Sequence, residues 1–240
     1  MKRLELTLGE PAANLALDEA LLDEVERFGP SAETLRFWES PSPLVVLGRS
    51  SIPEREIHAE RCRCDGVPVL RRASGGAAVL AGPGCLMYAV ALDRRTRPEL
   101  VSMGAAHRAV LGRIAAALNR RVPGVRCEGT SDLVLDQPGG ARKFSGNSIR
   151  ARREALLYHG TILYDFPIVR IERYLTLPPR RPAYRADRPH TEFLANLPLA
   201  RDAIVAAMAE AWDARSTAAD WPGERTAALV AERYGREAWP

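Results

Sequence analysis

Val67-Pro68-Val69-Leu70-Arg71-Arg72-Ala73-Ser74-Gly75-Gly76-Ala77-Ala78-Val79 is the stretch on which the reading of this chain turns. Residues 67–71 are mostly apolar, which predicts a strand running into a glycine-rich loop. Gly75 and Gly76 let the backbone come close to a ligand and leave N–H groups available to oxyanions. Ser74 adds a hydroxyl, and Arg71 and Arg72 supply planar donors suited to phosphate or carboxylate. No G-K-[ST] follows, so this is not a P-loop. A plain glycine-rich hairpin with exposed arginines is the alternative that the stretch alone leaves open.

Outward from this loop, alternating or short apolar runs predict strands over 3–8, 34–38, 44–48, 85–92 and 132–135, with 143–149 and 155–163 as a pair. Helical spacing predicts helices over 14–27, with Asn14 as N-cap, and over 57–65, 107–119, 200–214 and 224–234. Residues 137–140 read as a turn, and the Pro- and Arg-rich segment 178–189 as an ordered crossing loop. Strands and helices mix without a strict βαβ rhythm. The expected class is therefore α+β, a mixed β-sheet covered by helices.

At 240 residues the chain fits one domain spanning 1–240, in which about 200–240 would be a helical appendage. Apolar residues make up 46%, enough for a sizeable core and too many for a disordered chain. No apolar run reaches membrane-spanning length, so the expectation is a cytoplasmic protein without membrane association. The net charge of +4 is scattered and aromatics are only 6%, so no nucleic-acid partner is expected. Cys62, Cys64, Cys85 and Cys127 lack zinc spacing and read as reduced thiols. Of 34 basic residues only Lys2 and Lys143 are lysines. An interior lysine in so Arg-biased a chain points to a place where a compact ammonium must approach one oxygen.

Three further segments carry candidate chemistry. Gly129-Thr130-Ser131-Asp132-Leu133-Val134-Leu135 puts a carboxylate at the mouth of a predicted strand, where it can hold Mg²⁺ or simply form a turn. Arg142-Lys143-Phe144-Ser145-Gly146-Asn147-Ser148 places Lys143 before a run of small residues. Tyr158-His159-Gly160-Thr161-Ile162-Leu163 places a histidine in a predicted strand.

The order R-R-x-S-G-G, S-D-L-V, K-x-S-G-N, H-G-T-I-L resembles the catalytic domain of the lipoate–protein ligase A family, within the biotin/lipoate protein ligase superfamily. Asn14-Leu15-Ala16-Leu17-Asp18-Glu19-Ala20-Leu21-Leu22 resembles that family's first helix, and Leu35-Arg36-Phe37-Trp38 and Val45-Val46-Leu47-Gly48-Arg49 its early strands. The likeness covers roughly residues 3–200. It implies that ATP activates lipoate, or octanoate, to an acyl-adenylate, and that the acyl group passes to a lysine of a lipoyl carrier protein. Lys143 would then stabilise charge where carboxylate meets phosphate. Arg72, Ser74, Gly75, Gly76, Ala77 and His159 would bind the acyl substrate. Arg71, Ser131, Asp132, Lys143 and Ser145 would bind nucleotide, with Asp132 near Mg²⁺. Val79, Leu86 and Tyr88 are expected to line an acyl tunnel. The chain departs from the family pattern at Ala77, Ser131 and Cys85. The large accessory domain of bulkier ligases is expected to be absent, its place taken by a separate accessory chain or left unfilled.

The rival readings are an ATP-independent octanoyltransferase or lipoyltransferase, for which Cys85 is the candidate nucleophile, a biotin–protein ligase, and a non-catalytic acyl-carrier-binding protein. The K-x-S-G and H-G-T pieces favour lipoate ligases.

Overall fold

The computed structural model describes residues 1–179 and 181–236. Arg180 of the expected crossing loop and positions 237–240 of the expected appendage lie outside the described residues.

The strands are β1 (Lys2–Glu5), β2 (Thr34–Trp38), β3 (Leu44–Leu47), β4 (Val69–Arg71), β5 (Val79–Ala81), β6 (Cys85–Asp93), β7 (Val125–Glu128), β8 (Asp132–Leu135), β9 (Arg142–Ala151), β10 (Ala155–Leu163) and β11 (Ser216–Thr217). The helices are α1 (Pro11–Phe28), α2 (Pro53–Glu56), α3 (Ala59–Cys64), α4 (Met103–Asn119), α5 (Ile171–Tyr174), α6 (His190–Phe193), α7 (Arg201–Ala211) and α8 (Gly223–Leu229), the last running into a π turn. The large sheet has the order β11-β1-β2-β6-β10-β9-β8-β7, and a small sheet has the order β4-β3-β5. Parallel and antiparallel pairs occur in both, so the mixed α+β expectation holds.

Period-2 alternation sorts each central strand between two layers. Leu156, Tyr158 and Ile162 of β10 join Val110, Ile114 and Leu118 of α4 and Ile204 and Met208 of α7 in one core. Leu157 of the same strand joins Leu17, Leu21 and Val25 of α1 on the opposite face, where Ala89 and Ala91 of β6 leave room for the helix to lie close. The small sheet covers the rest of that opposite face, packing Val45, Leu47 and Leu80 against Met87 and Leu163. His159, next in β10 after Tyr158, therefore faces the seam between α1 and the small sheet.

Two helix starts differ most from expectation. Helix α1 begins at Pro11, not Asn14, because proline at the first helical position needs no N–H partner. Asn14 lies inside the helix and caps nothing. Its amide instead bonds Leu8 N and O at 2.9 and 2.8 Å. Gly29, at φ +72°, ends the helix by donating its N–H to Val25 O. Helix α4 starts at Met103, earlier than residue 107, because Ser102 accepts from Ala105 N. Strands β5, β7 and β11 were not expected. They are two to four residues long, and pairing with neighbours rather than local pattern makes them strands.

Candidate active site

Where α1 and the small sheet meet over β8–β10 there is a cavity of about 220 Å³. One irregularity aims its lysine. Leu133 pairs with Ser145 but Val134 pairs with Lys143, so Phe144 is an extra residue in β9. Without this bulge Lys143, Ser145 and Asn147 would share a face; with it, Lys143 follows Val134 and Asp132 while Phe144 drops into the α4 core. Lys143 Nζ reaches Asp132 Oδ1 at 2.8 Å. The lysine backbone is held on its second side too, by Ala195 N donating to Lys143 O at 3.0 Å. Tyr184, from the 178–189 segment, donates its hydroxyl to Asp132 Oδ2 at 2.7 Å. An ammonium has three donors, so Lys143 retains N–H groups for an incoming anion.

Gly146 makes this geometry possible. A Cβ built there would lie 2.8 Å from Lys143 Nζ and 3.0 Å from its Cε. On the other side of β9, Ser145 and Asn147 turn inward. The Asn147 amide donates to Ser131 O and Ser145 Oγ at 2.9 and 3.1 Å, and its oxygen accepts from the Tyr88 hydroxyl.

The glycine loop wraps a buried guanidinium. Arg72 Nη2 donates to Gly75 O at 2.6 Å and Ala77 O at 2.9 Å, and Nη1 to Val46 O at 3.1 Å. Burial draws its pKa down to about 10, against the opposing charge of Glu56. Gly48 abuts the loop so closely that a Cβ there would lie 1.9 Å from Gly76 O. Arg71 points elsewhere: its Nη1 donates to the carbonyls of Gly48, Arg49 and Ser51. Among the described residues the N–H groups of Gly75, Gly76 and Ala77 have no protein acceptor, which leaves them open to a ligand.

A buried chain of polar groups ties the loop to α1. Ser74 Oγ lies 2.5 Å from His159 Nε2, and His159 Nδ1 lies 3.7 Å from Asp18 Oδ2. Arg36 Nη1 bonds Asp18 Oδ1 at 2.5 Å, and Nη2 bonds Asn14 Oδ1 at 2.8 Å. Burial tends to raise the Asp18 carboxyl, but the Arg36 charge and then His159 outweigh it and hold it below the usual range.

Arg72, Gly76, Ala77, Ser131, Asp132, Lys143, Ser145 and His159 all border the cavity. Ser74 and Gly75 stand just behind it, the first on His159 and the second accepting from Ser148 Oγ at 3.0 Å. The expected tunnel wall is corrected in part. Val79 borders the cavity, but Leu86 and Tyr88 belong to the α4 side of β6, and it is Met87 that faces the cavity by alternation. Leu15, Val46 and Leu163 continue the apolar wall. Cys85 is fully buried, and burial, then the Glu39 charge, pushes its thiol far above the ordinary range. It does not border the cavity, and burial disfavours its thiolate.

Sequence reasoning missed Asp18, Arg36, Asn147, Tyr184 and Arg185. Arg185 is 3% exposed, borders the cavity, and its Nη2 has no hydrogen-bond partner. Its only sequence signal was an arginine-rich loop. No helix among the described residues is long and apolar enough to cross a membrane. Among them, too, no group of three or more His, Cys, Asp or Glu side chains is placed to hold a metal ion. A divalent cation fits only in company with a ligand's own oxygens, with Asp132 as the protein carboxylate.

Residues 10–208 match the family model of the lipoyl protein ligase A/B catalytic domain. A relative from Aeropyrum pernix, provisionally named lipoate-protein ligase A, is 32% identical over 211 residues, covering 88% of this chain and 74% of its own length. A bi-partite lipoate protein ligase of Thermoplasma acidophilum, from a structural study of an archaeal lipoylation system with its E2 lipoyl domain, superimposes with a TM-score of 0.82 at 22% identity, over 99% of this chain and 95% of that one. A lipoate-protein ligase A bound with ATP gives 0.80 at 20% identity, over 100% and 98%. A T. acidophilum protein solved with bound lipoic acid gives 0.79 at 19% identity, over 98% and 97%. At these identities the superpositions establish a common fold.

Proposed function

Because the chain belongs to the lipoyl protein ligase A/B catalytic-domain family, we propose that it uses ATP to activate lipoate, or octanoate, and transfers the acyl group to a lysine of a lipoyl carrier domain. The observation that carries this reading is the Lys143 ammonium fixed on Asp132 at the edge of a cavity walled by apolar side chains.

Each residue has a task in that chemistry. The acyl tail lies along Leu15, Val46, Val79 and Met87. The free N–H groups of Gly75, Gly76 and Ala77 receive oxyanions, and Arg72 holds their loop in shape from within. In the first step a carboxylate oxygen attacks the α-phosphate and pyrophosphate leaves. The Lys143 ammonium offsets charge that develops there. In the second step the acceptor amine attacks the acyl carbonyl and AMP leaves. Ser131 and Asp132 flank the phosphates, and Mg²⁺ arriving with the nucleotide would neutralise phosphate charge beside Asp132. Arg71 and Ser145 shape the nucleotide side indirectly, one through the 48–51 turn and the other through Asn147. A separate accessory chain belongs to the same reading, supported by the bi-partite T. acidophilum ligase. Four free cysteines suit a reducing cytoplasm.

The test is to incubate the protein with ATP, Mg²⁺ and lipoate, follow pyrophosphate, and weigh a lipoyl domain before and after. Pyrophosphate release and a lipoyl mass increment are expected, and Cys85→Ala is expected to do both as well as wild type. Acyl transfer from a thioester donor with no ATP, lost in Cys85→Ala, would give the chain to the transferases.

Gly146→Ala tests the placement of the ammonium. The new methyl would displace Nζ from Asp132 while leaving both core faces of β9 intact. Turnover should fall on the order of 100-fold, the usual cost of a misplacement of about 1 Å, with little change in the unfolding midpoint. Full activity in this variant would show that the ammonium position is unimportant.

A further inference from the structure

Positive charge accumulates just outside the glycine loop, beyond the cavity. Arg49 follows β3, donates its N–H to Ser74 O at 2.8 Å, and exposes its guanidinium. Arg150 stands two residues along β9 from Ser148, on the same face, and Ser148 is bonded to Gly75 O. Arg49, then Arg152 and Arg233, lie near enough to repel it, while Glu19 attracts it.

The nearby carboxylates are already committed. Glu19 Oε1 takes Arg152 at 3.3 Å and Arg233 at 3.2 Å, and its Oε2 takes the Tyr234 hydroxyl at 2.6 Å. Asp23 takes Arg152 at 2.8 Å and Arg225 at 2.9 Å. Neither Arg49 nor Arg150 has a side-chain hydrogen bond or ion pair among the described residues, and Arg150 Nε is buried with no acceptor. The buried Arg150 Nε, left without an acceptor beside like charges, costs stability unless a partner meets it.

We propose that Arg49 and Arg150 form the docking point for an acidic surface of the protein acceptor, and so bring its lysine to the glycine loop. This inference rests on the reading in the preceding subsection and names the chemistry of the partner. A nucleotide is the poorer occupant, because neither arginine borders the cavity, which Arg72, Lys143 and Arg185 line. Charges at the rim of a protein interface act mainly on encounter rate and salt dependence.

Arg49→Glu and Arg150→Glu are each expected to raise KM for a lipoyl domain about tenfold and to flatten its dependence on salt. Arg150→Lys should stay near wild type. The single-turnover burst of pyrophosphate from ATP and lipoate, measured without acceptor, should be unchanged in all three. Direct titration of the lipoyl domain at low salt, without ATP, gives a readout independent of chemistry, and both charge reversals should weaken it. Unchanged binding and KM in both would overturn the proposal, as would an equal loss in the acceptor-free burst, which would assign the arginines to nucleotide. A wild-type chain that binds the domain through these arginines but releases no pyrophosphate would leave the docking point standing and sink the ligase reading instead.

Discussion

Lys143→Arg is expected to lower kcat/KM for lipoyl transfer by about 10²–10³-fold, the range for removing one preorganised donor from a developing charge, although the positive charge survives. The reason is shape. Nζ sits 2.8 Å from Asp132 Oδ1 and passes over Gly146, a position set for a single compact head. The backbone of Lys143 is held by β8 and by Ala195, so it cannot retreat to make room. A planar fork beside a carboxylate forms a two-pronged pair with it. That would set the guanidinium against Asp132 and displace the Tyr184 hydroxyl, turning donors away from the ligand. Lys143→Met, which keeps length but not charge, should be as inactive and as stable as the arginine variant. The measurement is single-turnover adenylate formation together with thermal unfolding. An arginine variant within a few-fold of wild type would remove Lys143 from the chemistry.

The largest loss of stability is expected from Arg36→Leu, about 3–5 kcal/mol, as for other broken buried pairs. Arg36 is fully buried and bonds Asp18 Oδ1, Asn14 O, Asn14 Oδ1 and Leu6 O. Its loss leaves a buried carboxylate with only His159 nearby, at 3.7 Å. The pH dependence follows from the sign of the Asp18 shift. In the native protein its carboxyl lies below the usual range, so its stabilisation is present above the unfolded value and is lost as pH falls through the folded one. In Arg36→Leu only His159 still opposes burial, the carboxyl rises from its native value, and acid relieves the defect. The stability gap between wild type and variant should therefore narrow on acidification in urea titrations. Asp18→Asn combined with Arg36→Leu should recover part of the loss. A gap that is constant with pH would mean that the defect is a cavity rather than a stranded charge. Because Asp18 also orients His159 and, through it, Ser74, the single variant should lose activity before it loses its fold.

How much of this was legible beforehand depends on distance along the chain. Residues 71–77 could be read as a ligand loop because a strand, two arginines and two glycines stand together. Strands 34–38 and 132–135 are found with the expected bounds because each is a short apolar run between turn residues. Lys143 stood out because, Lys2 apart, the chain uses arginine. Leu86 and Tyr88 were assigned to the wrong side because an all-apolar strand such as β6 gives no sign of which face meets the ligand.

Local chemistry, then, determined which segments matter: backbone freedom at glycine, alternation along strands and one exceptional ammonium are properties of neighbouring residues. Their meeting was decided by tertiary packing. The Phe144 bulge turns Lys143 towards Asp132, Tyr184 arrives from 52 residues beyond that carboxylate, and Arg36 binds Asp18 across 18. No local pattern encodes such contacts, because sheet register and the burial of paired charges are settled only when distant segments compete for the same interior space.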